Sequence, residues 1–151
     1  MKQAAVITTD SVRMQVRPGW EASQQGTEAM VLAPSTDGFR ANLTLRTRPF
    51  EGTAGRAATQ EIAGVLAALE SPQVISWNLW PYGPGAEGRW IEYTCETPGS
   101  VLHVQQWFHL QDGMLTTCTA TCRTSQLPAY DNDFSAMAGS IQADPGDGNR
   151  R

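Results

Sequence analysis

Two dipeptides constrain this chain more than anything else in it: Pro98-Gly99 and Asp112-Gly113, each set between long runs of β-forming residues. Both residues of Asp-Gly tolerate φ > 0, so the pair closes a two-residue hairpin whose twist matches its strands. Pro98 presets the first position of a type II turn and Gly99 accepts the second. Three consecutive antiparallel strands are therefore expected, over about Glu87 to Thr97, Ser100 to Gln111 and Met114 to Thr124. Tight turns also dictate pairing: Trp90 opposes Trp107, Glu92 opposes Gln105 and Thr94 opposes His103. Across the second turn, Trp107 opposes Cys118 and His103 opposes Cys122. Type II turns are less usual in hairpins, so the first pairing is the one open to a slip of one residue.

Side chains on a strand alternate between faces. One face then carries Trp90, Glu92, Thr94, His103, Gln105, Trp107, His109, Cys118 and Cys122. The other carries Ile91, Tyr93, Cys95, Leu102, Val104, Phe108, Leu110 and Leu115, and reads as core.

The flanking segments complete an α+β plan. Val12 to Val16 alternates as a short strand before the Arg17-Pro18-Gly19-Trp20 turn, and a second strand covers about Glu28 to Ala33. Ser35-Thr36-Asp37-Gly38 is a loop. Phe39 to Thr47 alternates apolar and polar residues as a third strand. Ala58, Ile62, Val65, Leu66 and Leu69 recur at helical spacing, which predicts a helix from about Ala54 to Glu70 ended by Pro72. Val74 to Trp80 is a further strand, followed by the Pro81 to Gly85 loop. A closing helix is expected from about Pro128 to Ile141, with Tyr130, Phe134, Met137 and Ile141 along one stripe and Asp131 and Asp133 near its positive end. The expectation is one domain over residues 1–142, an antiparallel sheet of six to seven strands flanked by two helices. Residues 143–151 read as a disordered tail.

The chemistry available is limited. Charged residues make up 17% of the chain and the net charge is −4, with no dense Lys/Arg stripe of the kind phosphate neutralisation needs. Nucleic acid is thereby set aside as a partner. No run approaches 18 apolar residues, so no membrane span is expected. The opening Met-Lys-Gln-Ala-Ala-Val has one positive charge and no apolar core, which predicts no signal peptide and a cytoplasmic location. Three cysteines, an odd number in a domain of this size, suit reduced thiols. Cys118 and Cys122 lie about 13 Å apart along a strand at ~3.3 Å per residue, too far to share one ion or a disulfide. His103 with Cys122 is a single close pair, short of the three protein ligands of a zinc site. A mid-strand thiol also lacks the oxyanion donors that nucleophilic catalysis needs. No metal and no cofactor are expected. Arg40, Arg46 and Arg48 line one side of a strand, either as a solvated face or as a hold for an acidic segment.

Five tryptophans in a chain poor in charge must be buried or offered to a partner. The paired Trp90 and Trp107, with Glu92, His103 and Gln105 beside them, form the candidate partner-binding site. The bland alternative is that a helix or loop covers the pair and the polar groups form its rim.

The order of motifs resembles a known group. Pro18-Gly19-Trp20, then Gly38-Phe39-Arg40-Ala41-Asn42-Leu43-Thr44-Leu45 and an amphipathic helix look like the PsbP-like superfold. Trp90-Ile91-Glu92-Tyr93-Thr94, Gln105-Gln106-Trp107-Phe108, the Asp112-Gly113 turn and Met137-Ala138-Gly139-Ser140-Ile141 continue the likeness, over about residues 12–142. Within that superfold the chain is most similar to the LpqN-type proteins of actinobacteria, and more loosely similar to the effector-associated chaperones of type VI secretion. The resemblance implies an antiparallel sheet flanked by helices, and binding or chaperone roles more often than catalysis. It supplies no catalytic residues. LpqN-type members are often lipoproteins, and this sequence shows no lipobox cysteine.

Three readings of function stay open at this point. The first is a non-catalytic module that binds a protein or peptide segment, as an adaptor or a chaperone linked to secretion. The second is a small-molecule binder or enzyme with a pocket near His103, Glu92 and Cys122. The third is a self-associating structural protein, a homodimer through the tryptophan face.

Overall fold

The computed structural model describes residues 5–9, 12–34, 38–80 and 87–143. Its centre is the expected meander: β7 (Glu87–Thr97), β8 (Ser100–Gln111) and β9 (Met114–Arg123). Asp112 and Gly113 both take positive φ, at 52° and 74°, and Gly99 sits at 79° after Pro98. These are the conformations that the two turns require. Neither register slips. Trp90 pairs with Trp107, Glu92 with Gln105 and Thr94 with His103. His103 pairs with Cys122 and Trp107 with Cys118.

The sheet extends on both sides of the meander. β3 (Glu21–Gln25), β4 (Glu28–Leu32) and β5 (Asn42–Pro49) precede α1 (Ala54–Ala68), and β6 (Glu70–Leu79) follows it. The seven strands run in the order β3-β4-β5-β9-β8-β7-β6, all antiparallel. A second sheet of three strands places β2 (Val12–Val16) between β1 (Ala5–Thr8) and β10 (Gln142–Ala143). The closing helix α2 (Leu127–Gly139) follows a short 3-10 turn at Thr124–Gln126.

Each face of the large sheet buries its own cluster. α1 lays Ala54, Ala57, Ala58 and Val65 over Ile91, Tyr93, Val104, Phe108, Leu110 and Leu115. Its first turn is held by the Thr53 hydroxyl, which accepts from the Arg56 N–H at 3.0 Å, and by Glu87, which accepts from the Ala54 N–H at 3.1 Å. On the opposite face, α2 and β2 cover Leu43, Leu45, Trp107, Cys118, Ala120 and Cys122 with Phe134, Met137, Met14 and Val16. Trp20 closes this side edge-on to Tyr130 and Phe134, with ring centroids 5.6 and 5.8 Å away.

Several expected boundaries move, each for a local reason. The first helix ends at Ala68 rather than near Glu70, because Leu69 is already extended. Pro72 therefore lies inside β6 instead of stopping the helix. It is tolerated because β6 is an edge strand and the pairing jumps from Glu70 to Gln73 around it. The third strand begins at Asn42, not Phe39: Arg40 donates to the Ala33 carbonyl at 2.7 Å and the Ala33 N–H donates to Ala41, closing the loop first. Val12–Val16 belongs to the small sheet rather than the large one. β1 and β3 went unexpected. β3 reads Glu-Ala-Ser-Gln-Gln, with no apolar alternation to mark it. β10 extends the fold one residue into the segment read as a tail, whose remainder lies outside the described residues.

Phe134 is 1% exposed and joins α2 to both Trp20 and the sheet. Phe134→Ala is expected to destabilise the domain by about 3–5 kcal/mol, read as a lower urea midpoint with an unchanged slope. A shift of less than 1 kcal/mol would mean that α2 contributes little to the packing of this face.

Candidate functional site

The structure brings the five expected site residues together on one face, and then covers most of them. Trp90 and Trp107 stack with ring centroids 6.3 Å apart and planes 7° off parallel. Trp107 is 5% exposed, Gln105 3% and His103 5%, because α2 packs over them. Trp90 and Glu92, one strand nearer the edge, are half-buried. The tryptophan face is thus an interior contact between the sheet and α2, as the bland alternative had it.

The polar members serve that contact. The His103 Nε2 and a Glu92 carboxylate oxygen lie 2.7 Å apart. The Gln105 amide donates to the Asp131 carboxylate at 2.9 Å, tying β8 to the first turns of α2. Arg17 adds a second tie to the helix through Asp133 at 2.9 Å. Cys122 packs beside this cluster with no exposed surface, and burial with the nearby Asp131 charge pushes its thiol up to about 11. Burial raises the Cys118 and Cys95 thiols as well. None of the three is poised as a thiolate nucleophile at neutral pH.

The arginines expected on one strand side are occupied differently. Arg46 pairs with Glu28 at 2.9 Å, Arg40 reaches Glu21 at 3.4 Å, and Arg48 lies over the Phe50 ring at 5.1 Å. Arg46 and Arg48 border a polar cleft of about 360 Å³ between α1 and strands β5 and β9, where α1 leaves the sheet uncovered. Gln106 forms part of its wall, donating to Glu61 and Thr119 at 3.1 Å each.

The surface that the sequence reading passed over is strand β6. It forms one outer edge of the seven-stranded sheet. Trp77 is 52% exposed, Ile75 56%, Leu79 75% and Val74 39%. Val74, Trp77 and Leu79 pair with Tyr93, Ile91 and Arg89, so they share the face that α1 occupies. On α1, Ala57, Gln60 and Glu61 border the cleft toward β5 and β9. Leu66 on α1 and Leu69 at its C-cap stay exposed. The edge strand thus leaves Val74, Ile75, Trp77 and Leu79 exposed. The signal was present in the sequence as Val-Ile-Ser-Trp-Asn-Leu, but strand order cannot be read from alternation, and order alone makes this strand an edge.

The opposite edge is built otherwise. β3 carries Glu21, Ser23 and Gln24, and Gln24 accepts a hydrogen bond from the Thr8 N–H of β1 at 3.0 Å. One close approach keeps β7 against the end of β6: a Cβ on Gly88 would meet the Trp80 carbonyl at 2.3 Å. Gly88 therefore allows the chain leaving β6 to run tight against the sheet.

No protein-family model matches the chain, and no curated protein does. Solved structures do. LpqN of Mycobacterium tuberculosis, described as involved in cell envelope biogenesis, aligns with a TM-score of 0.71 at 10% identity, covering 95% of this chain and 91% of that one. Cyanobacterial PsbP (CyanoP) from Synechocystis aligns at 0.68 with 14% identity over 95% of both chains. A Pseudomonas aeruginosa protein of unknown function aligns at 0.64 with 13% identity, over 89% of this chain and 92% of that one. The fold is PsbP-like. Among the described residues, no helix is long and apolar enough to cross a membrane.

Two outcomes follow from the burial of these side chains. The three thiols are expected to stay unreactive toward a thiol-specific reagent at pH 8 in the native protein and to react together in denaturant; fast labelling of Cys122 without denaturant would contradict its protonated, covered state. His109 is 2% exposed, and burial lowers its pKa from the ordinary value near 6.5. The unfolded chain therefore takes up that proton first, so stability should fall as the pH drops below about 6.5. Urea midpoints at pH 7.5 and 5.5 should differ less in His109→Phe than in the wild type.

Proposed function

We propose that this domain is a non-catalytic protein-binding module that engages its partner through strand β6 and the adjoining flank of α1. The observation that carries this reading is the exposure of Trp77 and Leu79 on an edge strand of the sheet. An edge offers unpaired backbone N–H and C=O groups, and proteins usually blunt such edges with charge. β6 has one charged residue, Glu70, at its far end. Extended segments add to edges of this kind by main-chain hydrogen bonds, with alternate side chains giving specificity. A half-exposed tryptophan at the centre is the residue type most often found to dominate such contacts.

The burial of His103 and Cys122 supports a binding role over an enzymatic one. The histidine is out of reach of a solute and the thiol stays protonated. An adaptor or chaperone duty, of the kind the LpqN-type likeness suggests, needs only a surface. The three free, buried thiols fit a reducing cytoplasmic setting.

Affinity capture from native lysate with the immobilised chain tests the reading. A defined partner should be retained by the wild type and lost with Trp77→Ala, its affinity falling about 30-fold or more for a ~2 kcal/mol anchor. Trp107→Ala should instead lower stability and leave the affinity of the folded fraction intact. Capture that ignores Trp77→Ala, or that tracks Trp107 at constant stability, would overturn the assignment.

A further inference from the structure

We propose that the polar cleft between α1 and strands β5 and β9 binds a short free peptide of two or three residues. Its amino end lies at Glu61 and its carboxylate at Arg46 and Arg48. The site is separate from the β6 edge, and goes beyond a docking role there.

The cleft holds about 360 Å³, near the lower end of the ~300–1,000 Å³ range of small-molecule sites. Its two ends carry opposite charge. Glu61 on α1 borders one end, and it pairs with no basic group among the described residues. Gln106 holds one Glu61 oxygen at 3.1 Å and spends its amide nitrogen on Thr119 as well. That glutamine is 4% exposed, and its Oε1 has no hydrogen-bond partner. A buried acceptor left unpaired is unfavourable, and an added donor relieves it. An ammonium carries three N–H donors, enough for this oxygen and for the second oxygen of Glu61.

At the other end, Arg48 makes no ion pair among the described residues and lies over the Phe50 ring, 5.1 Å from its centroid. Stacking on a ring face leaves the in-plane N–H donors of a guanidinium free for a carboxylate. Arg46 beside it pairs with Glu28, but both side chains are more than half exposed, and such surface pairs are weakly held.

The charges select the ligand. A plain anion would be repelled by Glu61, and a plain cation by the two arginines; a solute with both signs satisfies each end. The register gives its length. Gln106, Thr119 and Thr44 lie in one row across β8, β9 and β5, and Arg48 is four residues beyond Thr44 on the same face. With strands ~4.8 Å apart and ~3.3 Å per residue, the Cα atoms of Gln106 and Arg48 are roughly 16 Å apart. Side chains reaching in from both ends leave roughly 7–10 Å, which two or three extended residues span at ~3.3–3.6 Å each. Between the ends, Thr44 and Thr117 line the floor, and their hydroxyls both donate and accept. That suits the amide groups of a peptide.

Calorimetric titration of the full chain with trialanine, beside its N-acetylated and C-amidated forms, is the test. Trialanine should give saturable heat and raise the melting temperature. Blocking either end should weaken binding about tenfold or more, the loss of one charge-assisted contact. The variants separate the two ends. In Glu61→Gln, which keeps an oxygen for Gln106 to donate to, acetylation should no longer matter while amidation still does. In a double variant, Arg46→Gln with Arg48→Gln, amidation should no longer matter while acetylation still does; both arginines are exposed, so its circular dichroism should be unchanged. Trp77→Ala should bind trialanine as the wild type does. No saturable heat at about 10 mM trialanine, well above the ~1 mM Kd of a weak site, overturns the proposal. Binding indifferent to both blocking groups does so too, and dependence on Trp77 would move the peptide to β6 and remove it from the cleft.

Discussion

The pairing register of β7, β8 and β9 is the constraint on which the rest of this molecule depends. Two turns of two residues each leave the three strands no freedom to slide, and a slip of one residue would exchange the two faces entirely. With the register set, Trp107 faces α2 and Phe108 faces α1, so neighbouring residues on one strand seed two separate cores. Each helix then has a defined place to pack. The side chains that cap and clamp the helices come from the same strands: Glu87 at the first turn of α1, Gln105 at Asp131 of α2.

That register also sets where the polar residues beside the tryptophan stack fall. A histidine, a glutamine and a glutamate on a sheet face must be either wet or partnered, since an unpaired buried polar group costs about 1–3 kcal/mol. The fold partners His103 with Glu92 and the Gln105 amide nitrogen with Asp131, while the Gln105 Oε1 and the Trp90 indole N–H stay buried without a hydrogen bond. The Gln105–Asp131 bond ties α2 to β8, and the His103–Glu92 contact joins β8 to β7 within the sheet. The same burial keeps the thiols of Cys118 and Cys122 protonated and out of reach. Residue types that resemble a reactive constellation in sequence thus become the joinery of a helix–sheet contact.

Legibility in the sequence followed the range of the interaction involved. The turns, the three-strand register, both helices and the division of the meander into two faces were readable because each depends on residues a few positions apart. β1 and β3 were not, since Ala-Val-Ile-Thr is too short to show alternation and Glu-Ala-Ser-Gln-Gln has none; both are held by pairing with strands already in place. The burial of the candidate site was illegible for a different reason. Alternation places Trp90 and Trp107 side by side, but whether a face is covered depends on where Phe134 and Met137 fall, some 27 to 30 residues later in the chain. Covering elements carry no local signature in the segment they cover.

The same reasoning turns attention from faces to edges. In a sheet of seven strands only two edges exist, and this chain treats them in opposite ways. β3 is polar and tied to β1 through Gln24, as edges that must remain solitary usually are. β6 is protected only over its first half, by Pro72 and two register shifts, after which four regular, uncharged residues expose an indole and a leucine. A charge at Leu79, which is 75% exposed, would blunt this edge in the usual way. Tyr93, Ile91 and α1 already complete the core beneath that strand. Trp77 and Leu79 are thus left exposed on the less protected of the two edges.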